Sequence, residues 1–164
     1  WSLILSRDKG FRQYCNILIN RLLRAPKFNF KVNLKELKKS TLKIHNTLIK
    51  THPTKHSKTT KSVTYRIQHK NKSLVYIGDT KYCSDVIKSA KNADYLLIEC
   101  SFPNESEGHL TPSLAGKIAE KAKVKTLILT HFYPEVLKTN IKKQCAKKFK
   151  GNIILARDKM STNI

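Results

Sequence analysis

No Cys-x-x-C pair occurs in this chain. Its four cysteines, Cys15, Cys83, Cys100 and Cys145, are widely spaced. That spacing argues against a zinc knuckle and a redox dithiol, and makes the reduced thiols of a cytoplasmic protein the expectation. No apolar run approaches the roughly 18 residues that a membrane span requires, and no signal-peptide pattern is visible, so no membrane partner is expected. Basic-aromatic RNP patterns, G-x-x-G loops and zinc-finger spacings are missing too, so no recognised nucleic-acid signature is present. Acidic residues are scarce: 11 Asp and Glu stand against 33 Lys and Arg, and positions 37 to 78 carry none. Methionine occurs once, at Met160, and the first residue is Trp1, which makes a cropped or processed chain the expectation.

What is present bounds the class. At 164 residues and 40% apolar content, the chain has the size of one domain and enough material for a core. A formal charge of +22 attracts polyanions, so nucleic acid or a phosphorylated substrate enters as a partner class. The basic residues are mostly Lys in a chain also rich in Asn and Ile, which an A/T-rich coding sequence would equally produce. The charge by itself therefore leaves a functional and a compositional reading open.

The order of elements comes from periodicity. GFRQYCNILINRLLR, from Gly10 to Arg24, reads as an amphipathic helix ended by Pro26. PKFNFKVNLKEL is a linker or short strand, and TLKIHNTLIKTHPT alternates as a hairpin turning at His45-Asn46. SVTYRIQH and SLVYIGDT are strands around Lys70-Asn71-Lys72. YCSDVIKSAKN predicts a helix and DYLLIEC a buried strand, followed by the loop SFPNESEGH. TPSLAGKIAEKAK predicts a helix with Thr111 as its N-cap and Pro112 in the first turn. TLILTH is a further buried strand, EVLKTNIKKQCAKKF one helix and NIILAR the last strand. With no repeat and no composition break, the expectation is a single domain over 1–164 of class α/β.

Three apolar runs stop at chemically useful residues: Asp79 after LVYIG, Glu99 within LLIEC, and His131 after LILT. Catalytic groups collect at strand ends of α/β sheets, where the sheet fixes them and loops leave them reachable. His56 follows another strand-like run, and His109 precedes a helix in GHLTP. Each has a structural explanation when taken alone: an Asx turn, a hydrogen-bonded histidine, a lysine-paired glutamate. His45, His52 and His69 read as surface residues.

Taken in order, His56, SVTYRI, LVYIGDT, LLIEC, GHLTPSLAG and LILTHFYP give a sequence that resembles the metallo-β-lactamase-fold hydrolases, and within them the ribonuclease Z-like phosphodiesterases. The resemblance implies a metallo-β-lactamase-like αββα sandwich. It implies metal ligation by His56 (with His52 as the alternative), Asp79 and His131, Asp79 bridging two ions. It implies proton transfer to the leaving group by Glu99 and His109. A carboxylate offers one oxygen to each of two zinc ions roughly 3.5 Å apart, imidazoles complete the shells without charge, and Gly78 would let the backbone turn tightly enough to present Asp79. The implied reaction is phosphodiester hydrolysis by a metal-activated hydroxide, with two Zn2+, or Mn2+ or Fe2+ in their place, with RNA 3′ ends as the candidate substrate and a homodimer as the candidate assembly.

The family's His-x-His-x-Asp-His signature is absent, since none of the six histidines forms an H-x-H pair. The expectation is therefore a carboxy-terminal portion of the fold, amino-terminally truncated and inactive alone. The alternative is a non-catalytic basic binding module for RNA or other polyanions.

Overall fold

The computed structural model describes residues 2–6, 32–36, 40–58 and 61–162. The amphipathic helix expected from Gly10 to Arg24 lies outside the described residues. Two units are present, Trp1–Lys38 and Lys39–Ile164. In the first, β1 (Ser2–Ser6) and β2 (Val32–Glu36) pair in parallel, Ser2 opposite Val32 and Ser6 opposite Glu36.

The second unit is built on a seven-stranded sheet: β3 (Thr41–Ile44), β4 (Thr47–Lys55), β5 (Lys61–His69), β6 (Lys72–Ile77), β7 (Tyr95–Glu99), β8 (Thr126–Thr130) and β9 (Asn152–Leu155). Spatial order equals chain order, so each strand lies beside its predecessor. The first four pair antiparallel, and both hairpins expected from the sequence are present. Their turns start with His45 and Lys70, each at a positive φ near 50°. From β6 onward the pairing is parallel, and each added strand is reached through a helix-bearing connection. Two reversals separate β4 from β6, so β4, β6, β7, β8 and β9 all run the same way. Their carboxyl ends therefore share one edge of the sheet.

Among the described residues of this unit the helices are α1 (Ser84–Ala90), α2 (Pro112–Ala122), α3 (Pro134–Leu137) and α4 (Ile141–Ala146). Alternation explains which face they cover. On β6 and β7, Val75, Ile77, Leu96 and Ile98 are fully buried, while Tyr76, Tyr95 and Leu97 between them are less so. The buried set packs with Val86 and Ala90 of α1, Ala115, Ile118, Ala119 and Ala122 of α2, and Ile141 and Cys145 of α4. Gly116 lets α2 approach α4 closely, since a Cβ there would lie 2.7 Å from the Cys145 carbonyl. Thr111 caps α2 as expected, accepting the Leu114 N–H at 3.2 Å, a contact worth about 1 kcal/mol. Arg66 of β5 donates to the Ser89 and Lys91 carbonyls and so closes the carboxyl end of α1.

One expected helix is two. The stretch from Glu135 breaks between α3 and α4, where the Thr139 hydroxyl donates to the Val136 carbonyl and the Asn140 side chain accepts the Lys143 N–H. These local side-chain bonds satisfy backbone groups that a continuous helix would have used, and Asn140 restarts the helix as its cap.

Asp94 fixes the start of β7 against β6. Its carboxylate accepts from Lys125 at 2.7 Å and from both the N–H and the hydroxyl of Ser73. The Lys125 bond chiefly holds the Asp94 carboxyl down from its ordinary 3.8 to about 2, with the Ser73 bonds adding to it and burial opposing. A carboxyl depressed on folding contributes stability above its unfolded value and loses it as pH falls through the folded one. The expected outcome is that Asp94→Asn lowers the thermal midpoint at pH 7, and that the gap to the parent closes between pH 3.8 and about 2. Melting curves across that range check it, and a gap unchanged at pH 2 would refute it.

Candidate active site

Three adjacent parallel strands deliver three polar groups to one edge. Asp79 lies two residues past β6, Glu99 is the last residue of β7, and His131 is the first past β8. β4, running the same way two strands over, delivers His56 to that edge as the first residue past its end. The loop after β6 is fastened to the end of β4: Lys81 N–H donates to the Lys55 carbonyl at 2.6 Å, and Thr80 and Thr54 hydroxyls bond each other. That clasp brings Asp79 beside His56 although β5 lies between their strands.

Glu99 is the buried anchor, at 1% exposure. Its Oε1 accepts the Thr80 N–H at 2.9 Å, and its Oε2 accepts the Ser101 hydroxyl and lies 3.2 Å from His109 Nδ1. The carboxylate thus ties the loops after β6 and β7 to His109. Because the carboxylate accepts, Nδ1 of His109 carries the hydrogen, leaving Nε2 as the ring position open to chemistry. His56 is set in the same manner. Its Nδ1 lies 3.0 Å from the Gly108 carbonyl, which can only accept, so its Nε2 holds the lone pair.

His131 Nε2 lies 3.3 Å from Asp79 Oδ1, and the two side chains are 44% and 39% exposed. His109, at 16%, stands between this open pair and buried Glu99. His109 is 5.2 Å from His56 and 6.1 Å from His131, ring centre to ring centre. One ligand atom each from His56, Asp79 and His109 lie within 4.8 Å of one another. All five residues singled out in the sequence therefore meet at one edge, and His109 stands among the candidate ligands as well as against Glu99. Imidazole nitrogens with the second nitrogen committed to an acceptor, together with a carboxylate oxygen, form a donor set that suits zinc and similar divalent ions. His131 is held at φ 59°, a conformation uncommon for a residue other than glycine, and such strain persists where surroundings fix it.

Several residues that build the site carried no signal in the sequence analysis. Gly108 is one. It has φ +85°, and a Cβ on it would lie 3.0 Å from both His56 Nδ1 and the His56 carbonyl. At Gly78, expected to provide the tight turn, glycine is not required: a Cβ there would meet only Tyr76 Oη at 3.7 Å, and its φ is not left-handed. The Glu99–Thr80 bond positions Asp79 in its place. Thr80 and Ser101, which complete the Glu99 network, adjoin Asp79 and follow Glu99 closely in sequence. Proximity to a site motif was the one available signal for them. His52 lies within β4, and His45 and His69 are exposed. Burial pushes the Cys100 and Cys145 thiols up to about 12 and about 11, so neither supplies a thiolate near neutral pH.

Residues 7–132 match the family model described as the beta-lactamase superfamily domain, which covers most of the chain. The ribonuclease Z of Thermobifida fusca is 35% identical over 105 residues, 58% of this chain and 33% of its own length. The chain spans about a third of the length of the curated relatives it matches. Among solved structures, the metallo-β-lactamase-fold protein YhfI from Bacillus subtilis superimposes with a TM-score of 0.78 at 23% identity, over 94% of this chain and 62% of its own. The short form of human tRNase Z superimposes at 0.68 and 19% identity, over 96% and 66%. The chain belongs to the β-lactamase superfamily and has the metallo-β-lactamase fold, its mixed sheet and helices forming an α/β layer of it.

Proposed function

We propose, from this membership of the β-lactamase superfamily, that the chain carries part of the active centre of a metal-dependent phosphodiesterase of the ribonuclease Z-like kind. The observation that supports the reading most is the meeting of Asp79 and His131 with His56 and a Glu99-held His109 at one sheet edge. Similarity to ribonuclease Z sequences favours a phosphodiester, with RNA 3′ ends as the first substrate to try.

His56, Asp79 and His131 would hold the metal, two Zn2+ in the whole protein, with Mn2+ or Fe2+ as alternatives. When bound, such ions make a water acidic enough to ionise near neutral pH and neutralise phosphate oxygens. The chain's own residues do the rest. Asp79, placed by the Thr80–Glu99 bond, presents its carboxylate at the mouth of the site. His109 in its imidazolium form gives its Nε2 proton to the departing alkoxide. Glu99 fixes the ring through Nδ1 and stabilises the positive charge that His109 carries before transfer. Lys117 and Arg157 line the flanking clefts and can offer cations to a phosphate, beside Glu105, Glu107 and Asp158, while Lys81 is paired with Glu107.

With these ligands and no H-x-H pair, the chain by itself is expected to bind zinc weakly and to turn over substrate negligibly. Hydrolysis of bis(4-nitrophenyl) phosphate, measured for the chain alone and joined to a segment carrying H-x-H-x-D-H, tests the reading. Turnover in the joined protein supports it; tight binding of two ions and steady turnover by the chain alone would overturn it.

The second reading, a non-catalytic basic module, draws on the acid-free run from 37 to 78 and the charge of +22. The two share one expected outcome, salt-sensitive and sequence-indifferent binding to RNA, read from affinity across a salt series. A flat response would assign the lysines to composition.

A further inference from the structure

Two aromatic rings beside the site are left without a role in proton transfer. Phe102 follows the end of β7 and Tyr133 the end of β8. Their rings stack, with centroids 4.6 Å apart and planes 27° from parallel. The two loops are joined where the Tyr133 N–H donates to the Ser101 carbonyl. His109 stands edge-on to both rings, at 5.4 and 6.2 Å, and His131 meets Tyr133 edge-on at 5.4 Å. The stack is therefore a wall of the site, in contact with two of its histidines.

Tyr133 is 38% exposed although Phe102 covers part of it, and its side chain does not cap α3. A ring stacked on Phe102, met at its margin by two histidines and more than a third exposed, offers a planar partner a surface whose orientation is already fixed. Little freedom is lost when that partner binds. Clefts of about 510 Å³ beside His131 and about 440 Å³ beside His109 leave room for chain on either side of the wall; Arg157 and Asp158 line the first, and Lys81, Lys117, Glu105 and Glu107 the second, with Lys81 paired to Glu107. Stacking on an aromatic side chain holds single-stranded nucleic acid without regard to sequence, because every base has a π-face.

We propose that Tyr133, backed by Phe102, is a stacking platform for a nucleobase adjoining the phosphodiester at the His109–His131 edge. The proposal rests on the phosphodiester reading above and adds to it a requirement for a base. A sugar phosphate or an aliphatic ester would reach the same edge without using this wall.

The test compares a labelled single-stranded RNA tetramer with an abasic tetramer of equal charge, binding followed by fluorescence anisotropy across a salt series. The parent chain is expected to bind the RNA about tenfold more tightly than the abasic strand. Tyr133→Ala is expected to remove that preference with an unchanged salt slope, and Tyr133→Phe to keep it. Melting curves accompany the variants: Tyr133→Phe should overlay the parent, and Tyr133→Ala, which loses the stack on Phe102, should melt slightly lower and stay folded at the binding temperature. Equal affinity of the parent for both strands, or equal losses on both in Tyr133→Ala, would overturn the platform and leave the phosphodiester reading standing. Failure of the parent to bind either strand at low salt would sink both together.

Discussion

Asp79→Ala is expected to reduce zinc binding to that of a chain without a site, a loss of more than about a hundredfold. The scale follows from position. Residues that merely orient metal ligands are worth about 10–100-fold in affinity, and Asp79 is the one carboxylate in the group formed with His56 and His109. It also adjoins His131 at 3.3 Å, so its removal leaves three imidazoles with no neutralising charge. Asp79→Asn, which keeps an oxygen but not the charge, should fall between. Competition against a chromophoric chelator measures all three proteins, and the parent's weak affinity sets the window. Zinc affinity unchanged in Asp79→Ala would remove the carboxylate from the centre.

His109→Ala, in the protein joined to an H-x-H-x-D-H segment, is expected to lower turnover by about 10²–10⁴-fold, the usual worth of a positioned proton donor. Metal content decides what the loss means, because His109 also lies within ligand distance of His56 and Asp79. Zinc retained with turnover lost fits a proton donor. Zinc lost in step with turnover would make His109 a ligand and refute the assignment. Glu99→Gln adds a readout that folding alone would not move. The amide keeps an acceptor for Nδ1 but sets no charge opposite the imidazolium, so turnover should fall with zinc content kept. Glu99 is nearly inaccessible and holds three groups, so melting curves must accompany that variant.

Much of this was legible before the structure because the relevant signals are local. LVYI, YLLIE and TLILT are apolar runs stopped by polar residues, and such runs form strands whose ends are marked by the stop. Thr111 followed by Pro112 announces a helix start by chemistry confined to four residues. The features that were not legible depend on groups far apart in sequence. Gly108 is required because His56 packs against it, 52 residues away. Gly-Asp-Thr has the pattern of a glycine turn, whereas Asp79 is positioned by a bond from Thr80 to Glu99, 19 residues on. The break at Thr139–Asn140 is marked locally, since both side chains compete for backbone groups that a helix would claim.

Because every strand of the sheet lies beside its predecessor, the ribosome delivers the site in the order in which it is assembled. His56 emerges first, and Asp79 can join it once the β5–β6 hairpin has closed and the Lys81–Lys55 bond has formed. Glu99 then arrives with β7 and locks Thr80 in place. His131 comes last, at the end of β8. At roughly 5–20 residues per second, several seconds of translation separate the first of these side chains from the last. Through that interval the growing chain presents only some of these side chains, and all of them stand together only once β8 has docked.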